Sequence, residues 1–283
     1  DFNGSFHMNA DGLTGADILL DEASVTATEN ALMASTLAKG TTIIRNAASE
    51  PHVQDLCHML VGMGAQIEGI GTNSITVHGV DRLHGGEFRV GADYLEAISF
   101  VGAAAVTGGN VLIREADPQY LSMAALVFRK LGVSWEVRDN DVFVPHGQPL
   151  VIERDLGNKI PSIKAQPWPA FPSDLLSIAL TVATQSAGTV LFHEWMYDSR
   201  FFFTDKLVAM GARIFLCDPH RAVVHGPTAL HAVPAISSPD IRAGMSLLLA
   251  ALAARGTTTI RNIGQIDRGY ERVEEKLRGL GAH

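Results

Sequence analysis

A fourfold internal repeat constrains this chain more than any other feature. A glycine leading into a β-rich stretch recurs at Gly40-Thr41-Thr42, Gly109-Asn110-Val111, Gly188-Thr189-Val190 and Gly256-Thr257-Thr258, in steps of 69, 79 and 68 residues. A second mark follows each: Met63-Gly64-Ala65, Leu131-Gly132-Val133, Met210-Gly211-Ala212 and Leu280-Gly281-Ala282. Within a repeat the two glycines lie 24, 23, 23 and 25 residues apart. One ruler kept four times means one supersecondary unit reused, and each copy needs neighbours to bury its apolar face.

The first repeat gives the pattern. Ala16 to Leu20 is a short strand, and Val25 to Ala38 has helical apolar spacing. Gly40 is expected to cap that helix, since a residue without Cβ tolerates positive φ. Thr42 to Arg45 is β-branched and predicts a strand. Pro51, at a favoured helix start, opens a second helix that runs through Met63 and ends at Gly64. Gln66 to Glu68 and Ser74 to Val77 form a hairpin around Gly69 and Gly71. No glycine at 74 and no following helix supports a dinucleotide loop there. The predicted order is βαβαββ, four times over, in an α/β fold. The third repeat carries a proline-rich insert, Arg154 to Pro172, expected to be an ordered irregular loop. Trp168 within it is expected either to stack on a ligand or to cover the core. The fourth repeat ends before its hairpin, which predicts unpaired sheet edges.

Composition narrows the function classes. Of 283 residues, 47% are hydrophobic and 18% charged, against about 25% charged in average domains. This excludes a disordered chain and predicts a large core. The net charge of -8 excludes a broad nucleic-acid surface, which carries a basic footprint. The longest apolar run, Ala243 to Ala254, is too short to span a bilayer and predicts a buried helix. Cys57 and Cys217 form neither a disulfide framework nor a zinc pattern. Both are expected to be packed, Cys57 on an apolar helical stripe and Cys217 at the end of a strand from Arg213. With no signal peptide expected, the expected location is the cytoplasm, with no membrane partner. The start at Asp1 and the end within the fourth repeat predict that the chain is part of a longer protein.

The informative residues stand at helix starts. Repeat alignment puts Asp93, Asp174 and Asp240 at the start of each first helix, where an acid caps free N–H groups and suits the positive helix end. Arg200 and Arg268 share one repeat position, expected in the first turn of a second helix, and Arg242 falls in the first turn of a first helix. A cation there opposes the helix dipole, by about 0.3–1 kcal/mol. A nearby acid offsets each on one reading: Asp205 for Arg200, Asp240 for Arg242, Asp267 or Glu271 for Arg268. On the other, helix N-termini plus arginines form an anion site. The inference is a small, multiply charged anionic ligand, with Asp174 and Asp240 as proton-handling candidates. His52, Cys57 and His58 do not place two ligands on one helix face, so no metal site is expected. Neither a Walker-type loop nor a Gly-x-Ser-x-Gly elbow is present, and no cofactor is implied.

At these residues the chain resembles the enolpyruvyl transferases, specifically the UDP-N-acetylglucosamine 1-carboxyvinyltransferase family. The matching stretches are Gly40 to Ala48 with Glu50-Pro51, Pro169 to Asp174, Arg200-Phe201, Asp240 to Ala243 and Ile266 to Arg272. The resemblance runs from about Gly12 to Ala282. It implies two inside-out α/β domains built from βαβαββ units with the helices inside, and an active site in the cleft between them. Residues 1–90 would be the last unit of the UDP-sugar-side domain, and 91–283 a second domain of three units, its last hairpin missing. The implied reaction moves the enolpyruvyl group of phosphoenolpyruvate to the 3-hydroxyl of UDP-N-acetylglucosamine, the first committed step of peptidoglycan synthesis. The resemblance implies Asp174 as base on the sugar hydroxyl and Asp240 in proton transfer at the phosphoenolpyruvate methylene. It implies Arg200, Arg242 and Arg268 as holders of phosphoenolpyruvate. Ser24, Val25 and Thr26 match the segment that contacts the UDP phosphates, although the family usually has Gly where Thr26 stands. Met196 and Tyr197 would border the sugar. The family's N-terminal region, with a Lys-Asn pair and a Cys or Asp loop, has no counterpart here, so the chain alone is expected not to turn over without that missing N-terminal part. The alternatives are the 3-phosphoshikimate 1-carboxyvinyltransferase family, which the Asp267 to Arg272 stretch argues against, and a non-catalytic anion-binding scaffold.

Overall fold

The computed structural model describes residue 7 and residues 9–282; Asp1 and His283 lie outside the described residues. The chain divides into two compact bodies, Asp1–Gly91 and Ala92–His283.

The first body holds one repeat: β1 (Asp17–Leu19), α1 (Val25–Ser35), β2 (Thr41–Arg45), α2 (Pro51–Gly62), β3 (Gln66–Glu68) and β4 (Ser74–His78). Its sheet runs β1-β2-β4-β3, with β1 parallel to β2 and the other pairs antiparallel. Leu32, Ile44, Val53, Cys57, Ile75 and Val77 are its core. Gly40 does not cap α1 as expected. Thr36 does, because the chain beyond it already pairs with the strand side: Lys39 N–H donates to Leu13 O and Gly15 N–H to Lys39 O. Gly40, at φ +91°, is instead the turn into β2.

The second body holds three repeats. The second repeat is α3 (Tyr94–Thr107), β5 (Val111–Ile113), α4 (Ser122–Lys130), β6 (Glu136–Arg138) and β7 (Asp141–Val144). The third is β8 (Ser162–Lys164), α5 (Ser173–Gln185), β9 (Gly188–His193), α6 (Thr204–Ala209), β10 (Ile214–Asp218) and β11 (Arg221–Gly226). The fourth is β12 (Ile236–Ser237), α7 (Ile241–Ala253), β13 (Ile260–Arg261), α8 (Gly264–Asp267) and α9 (Val273–Gly279). The first helices α3, α5 and α7 pack on one another at the centre of one apolar core. α5 and α7 run parallel and in step, since Ser177 Oγ donates to Arg242 O and Thr181 Oγ1 lies 2.6 Å from Ser246 Oγ. Gly102 fits α3 against them: a Cβ there would meet Leu249 at 2.9 Å and Ile178 at 3.0 Å. The sheets lie outside these helices. This is the inside-out α/β arrangement.

The repeats differ in ways the sequence did not show. β1, β8 and β12 each pair in parallel with the strand after their helix, whereas β5 has only antiparallel β7 beside it among the described residues. The proline-rich insert is not wholly irregular, because it contains β8. Trp168 within it covers the core, its ring 5.3 Å from Tyr94 and 6.2 Å from Tyr120. The fourth-repeat strand starts at Ile260 rather than directly after Gly256.

The two cysteines part company. Cys57 is fully buried as expected, and burial pushes its thiol up to about 11. Cys217 is exposed, contrary to the packed role expected of it, because both faces of edge strand β10 are open around it. At pH 8 about a thousandth of Cys57 is thiolate, and the thiolate is the reactive form. A maleimide reagent on the native protein is expected to label Cys217 alone, with the second thiol appearing only in denaturant.

Candidate active site

Asp93 and Asp240 are true helix caps. Asp93 Oδ1 accepts from Leu95 N and Glu96 N at 2.8 and 3.2 Å. Asp240 Oδ1 accepts from Arg242 N and Ala243 N at 2.9 and 2.8 Å. Asp174 is not a cap. Pro172 occupies the cap position and Asp174 lies inside the first turn of α5. Its carboxylate is thereby free to turn sideways, and it meets two arginines. Arg200 Nη2 donates to Oδ1 at 2.9 Å, and Arg242 Nε approaches Oδ2 at 3.4 Å.

These are not the partners that local charge pairing suggests. Asp205 bonds Lys206 instead of Arg200, and Asp240 is occupied with capping. Arg200 also lies outside a helix, in the turn ahead of α6; Ser199, at φ +65°, breaks helical geometry just before it. Arg268 closes the short α8 rather than opening a helix. It is exposed, and its Nη1 donates to Gln265 Oε1 at 3.2 Å. The sequence places three arginines together; the structure joins two of them on one carboxylate and sets Arg268 on the neighbouring segment. Gly269, which follows it, backs Arg242: a Cβ there would lie 3.6 Å from Arg242 Nη1.

Arg242 is the most enclosed of the three, with 14% of its side chain exposed. Its guanidinium carbon stands 5.2 Å from the Tyr270 ring centroid. Burial works against its charge, yet the Tyr270 oxygen, Asp174 and Asp93 outweigh burial and hold its pKa above the ordinary guanidinium value. Tyr270 is itself buried, its hydroxyl 2.9 Å from Ser99 Oγ. Burial raises its pKa, with Arg242 and Ser99 pulling the other way. Arg242 Nη1 is buried without a hydrogen-bond partner among the described residues. A buried donor left so costs about 1–3 kcal/mol, more when charged, and an anion in front of it removes that cost. A small cavity opens here, lined by Ser173, Ser177, Glu194, Arg200, Asp240 and Arg242 among others.

Met196 and Tyr197 sit on the segment between β9 and Arg200, Met196 half-buried and Tyr197 exposed. Arg200 lies 5.1 Å from the Tyr197 ring. Glu194, fully buried at the head of that segment, is a residue that sequence reasoning missed; its signal is an acid directly after an apolar strand. Ser24, Val25 and Thr26 belong to the first body. Ser24 caps α1, accepting from Ala27 N at 3.3 Å, and Thr26 is exposed on the first turn. Among the described residues no cluster of His, Cys, Asp or Glu suits a metal ion, and no helix is long and apolar enough to cross a membrane.

Known proteins agree with this architecture. The model of the EPSP synthase (3-phosphoshikimate 1-carboxyvinyltransferase) family matches residues 2–277. The UDP-N-acetylglucosamine 1-carboxyvinyltransferase of Treponema denticola is 54% identical over 277 residues, covering 98% of this chain and 65% of its own length. That of Bradyrhizobium diazoefficiens is 54% identical over 275 residues, covering 97% and 64%. The chain thus spans about two thirds of these relatives, 65% and 64% of their lengths. The crystal structure of the enolpyruvyl transferase NikO from Streptomyces tendae superposes with a TM-score of 0.83 at 26% identity, over 97% of this chain and 65% of that one. An EPSP synthase from Acinetobacter baumannii shares the fold, with a TM-score of 0.72 at 19% identity over 96% and 63%. With a family model matched along almost its whole length, the chain belongs to the EPSP synthase family.

Proposed function

We propose that this chain is part of an enzyme that transfers the enolpyruvyl group of phosphoenolpyruvate to the 3-hydroxyl of UDP-N-acetylglucosamine, with release of phosphate, as the first committed step of peptidoglycan synthesis. The reading places it in the cytoplasm. The observation that carries it is the meeting of Arg200 and Arg242 on Asp174, with Arg242 Nη1 buried and still lacking an acceptor. A ligand bearing both phosphate and carboxylate answers two forked cations. Asp174 takes the proton of the acceptor hydroxyl as its oxygen bonds to the substituted carbon of phosphoenolpyruvate. The methylene carbon gains a proton, and that proton leaves again as phosphate departs and the double bond returns. Asp240 serves the methylene, its Oδ1 held by two N–H groups that fix the carboxylate's direction. Arg268 completes the grip when the exposed side chain turns from Gln265 to the anion. Met196 and Tyr197 border the sugar, and Ser24, Val25 and Thr26 receive the UDP phosphates at the start of α1. On this reading residues 1–90 belong to the last unit of the UDP-sugar-side domain, and 91–283 to the second domain.

The 54% identity to UDP-N-acetylglucosamine 1-carboxyvinyltransferases favours this acceptor over shikimate 3-phosphate. Phosphate release by the complete polypeptide carrying these residues, assayed with each acceptor, tests the choice. Turnover with UDP-N-acetylglucosamine, and a melting temperature raised by it alone, is expected. Turnover only with shikimate 3-phosphate overturns the acceptor, and anion binding without turnover on either leaves a scaffold.

A further inference from the structure

Glu194 has no part in the reaction just proposed, yet it is fully buried. An acid so placed is rare unless it is bonded. Its side chain bonds the start of α5 to the segment that follows β9. Oε1 accepts from Met196 N at 2.8 Å and Tyr197 N at 3.2 Å. Oε2 accepts from the hydroxyl of Ser173, the first residue of α5 and the neighbour of Asp174. Its main chain is held as well, N–H to His220 O and C=O to His220 Nδ1, each at 2.8 Å. On one side of this carboxylate stands the helix that carries Asp174. On the other stands the turn that carries Met196, Tyr197 and, three residues on, Arg200.

Resting on the proposed function, we infer that Glu194 is a positioning residue, a clamp that holds the 194–200 turn to the start of α5 and so sets Arg200 against Asp174. The clamp works through its three accepted hydrogen bonds and its reach. A side chain with the same reach that pairs with the same three groups therefore replaces it: in Glu194→Gln the amide oxygen takes both N–H groups and the amide nitrogen donates to Ser173. Alanine does neither. An error of about 1 Å between reacting groups costs on the order of 100-fold, so the clamp shows in kinetics and not only in stability.

The test uses Glu194→Ala, Glu194→Gln and Ser173→Ala in the complete polypeptide, with kcat and KM for each substrate and crystal structures of the variants. Folded Glu194→Ala is expected to lose about 100-fold in kcat/KM, with KM for the UDP-sugar rising and Arg200 no longer bonded to Asp174. Glu194→Gln is expected to stay within about threefold of the parent, well under the loss from misplacement. Ser173→Ala cuts the same link from the other side. It is expected to give a smaller loss in the same direction, and the double variant should be no worse than Glu194→Ala. Unchanged kcat and KM in a folded alanine variant, or glutamine failing as badly as alanine, overturns the clamp. If the parent makes no product with UDP-N-acetylglucosamine, the proposed activity falls, while the Arg200–Asp174 distance in the variant structures still decides the clamp.

Discussion

Replacing Asp174 by Asn is expected to lower kcat by about 10²–10⁴-fold, the range for loss of a general base, with the fold intact. Asn fills the same space in the first turn of α5, and its carbonyl oxygen still accepts the bond from Arg200 Nη2. It cannot take a proton from the acceptor hydroxyl. It also no longer offsets the charge of Arg200 and Arg242, so the affinity for phosphoenolpyruvate, anionic at both its phosphate and its carboxylate, should hold or improve. The expected signature is a fall in kcat with KM for phosphoenolpyruvate unchanged or lower, read by phosphate release in the complete polypeptide. A variant that keeps more than about a tenth of kcat removes Asp174 from the base role, since that loss lies below the range for a base.

The largest expected effect on stability lies at a repeat mark. Gly64, Gly132, Gly211 and Gly281 hold φ of +101°, +79°, +99° and +94°, so the common ruler is a common left-handed residue after each second helix. An L side chain there costs about 1–2 kcal/mol by backbone strain alone. A Cβ on Gly281 would meet nothing within 4 Å among the described residues, but one on Gly132 would lie 2.3 Å from Val151 N and 2.9 Å from Val151 O. Main chain cannot turn aside as a side-chain tip does. Gly132→Ala should therefore cost at least about 3 kcal/mol, strain plus overpacking, and Gly281→Ala only the strain. Urea unfolding with an unchanged slope measures both. Equal losses at the two glycines contradict the packing argument.

Local chemistry was legible in the sequence, and distant pairing was not. Asp93 and Asp240 cap helices whose N–H groups lie two and three residues away, and the β3–β4 hairpin follows from its turn. The fold class follows from the repeat and the family resemblance. Asp174 looked like its two counterparts, but Pro172 took the cap position. Its partners stand 26 and 68 residues away, a distance at which spacing carries no information. The reading in which nearby acids offset the arginines fails at Arg200 and Arg242 for the same reason, since both reach Asp174 instead. Cys217 misled because an apolar stretch at the end of a strand reads as core, while β10 is an edge. Glu194 went unnoticed because a single acid after Leu191-Phe192-His193 resembles a strand simply ending in solvent.

The placement of α3, α5 and α7 inside the sheets also sets the order in which the molecule opens. Amides at the centre of that bundle, around Ile178 and Leu247, are buried on every side, and exchange there requires loss of the whole body. The 198–203 turn lacks regular helix or strand bonding, but Phe201 and Phe203 anchor it in the same core and leave only Phe202 between them exposed. Asp174 thus stands on a helix at the centre of the core, and Arg200 on an irregular turn pinned to that core by Phe201 and Phe203. The two halves of a single ion pair therefore differ in what is left to move: the Arg200 guanidinium, 29% exposed, can turn toward an anion by side-chain rotation while its backbone and its carboxylate partner stay held.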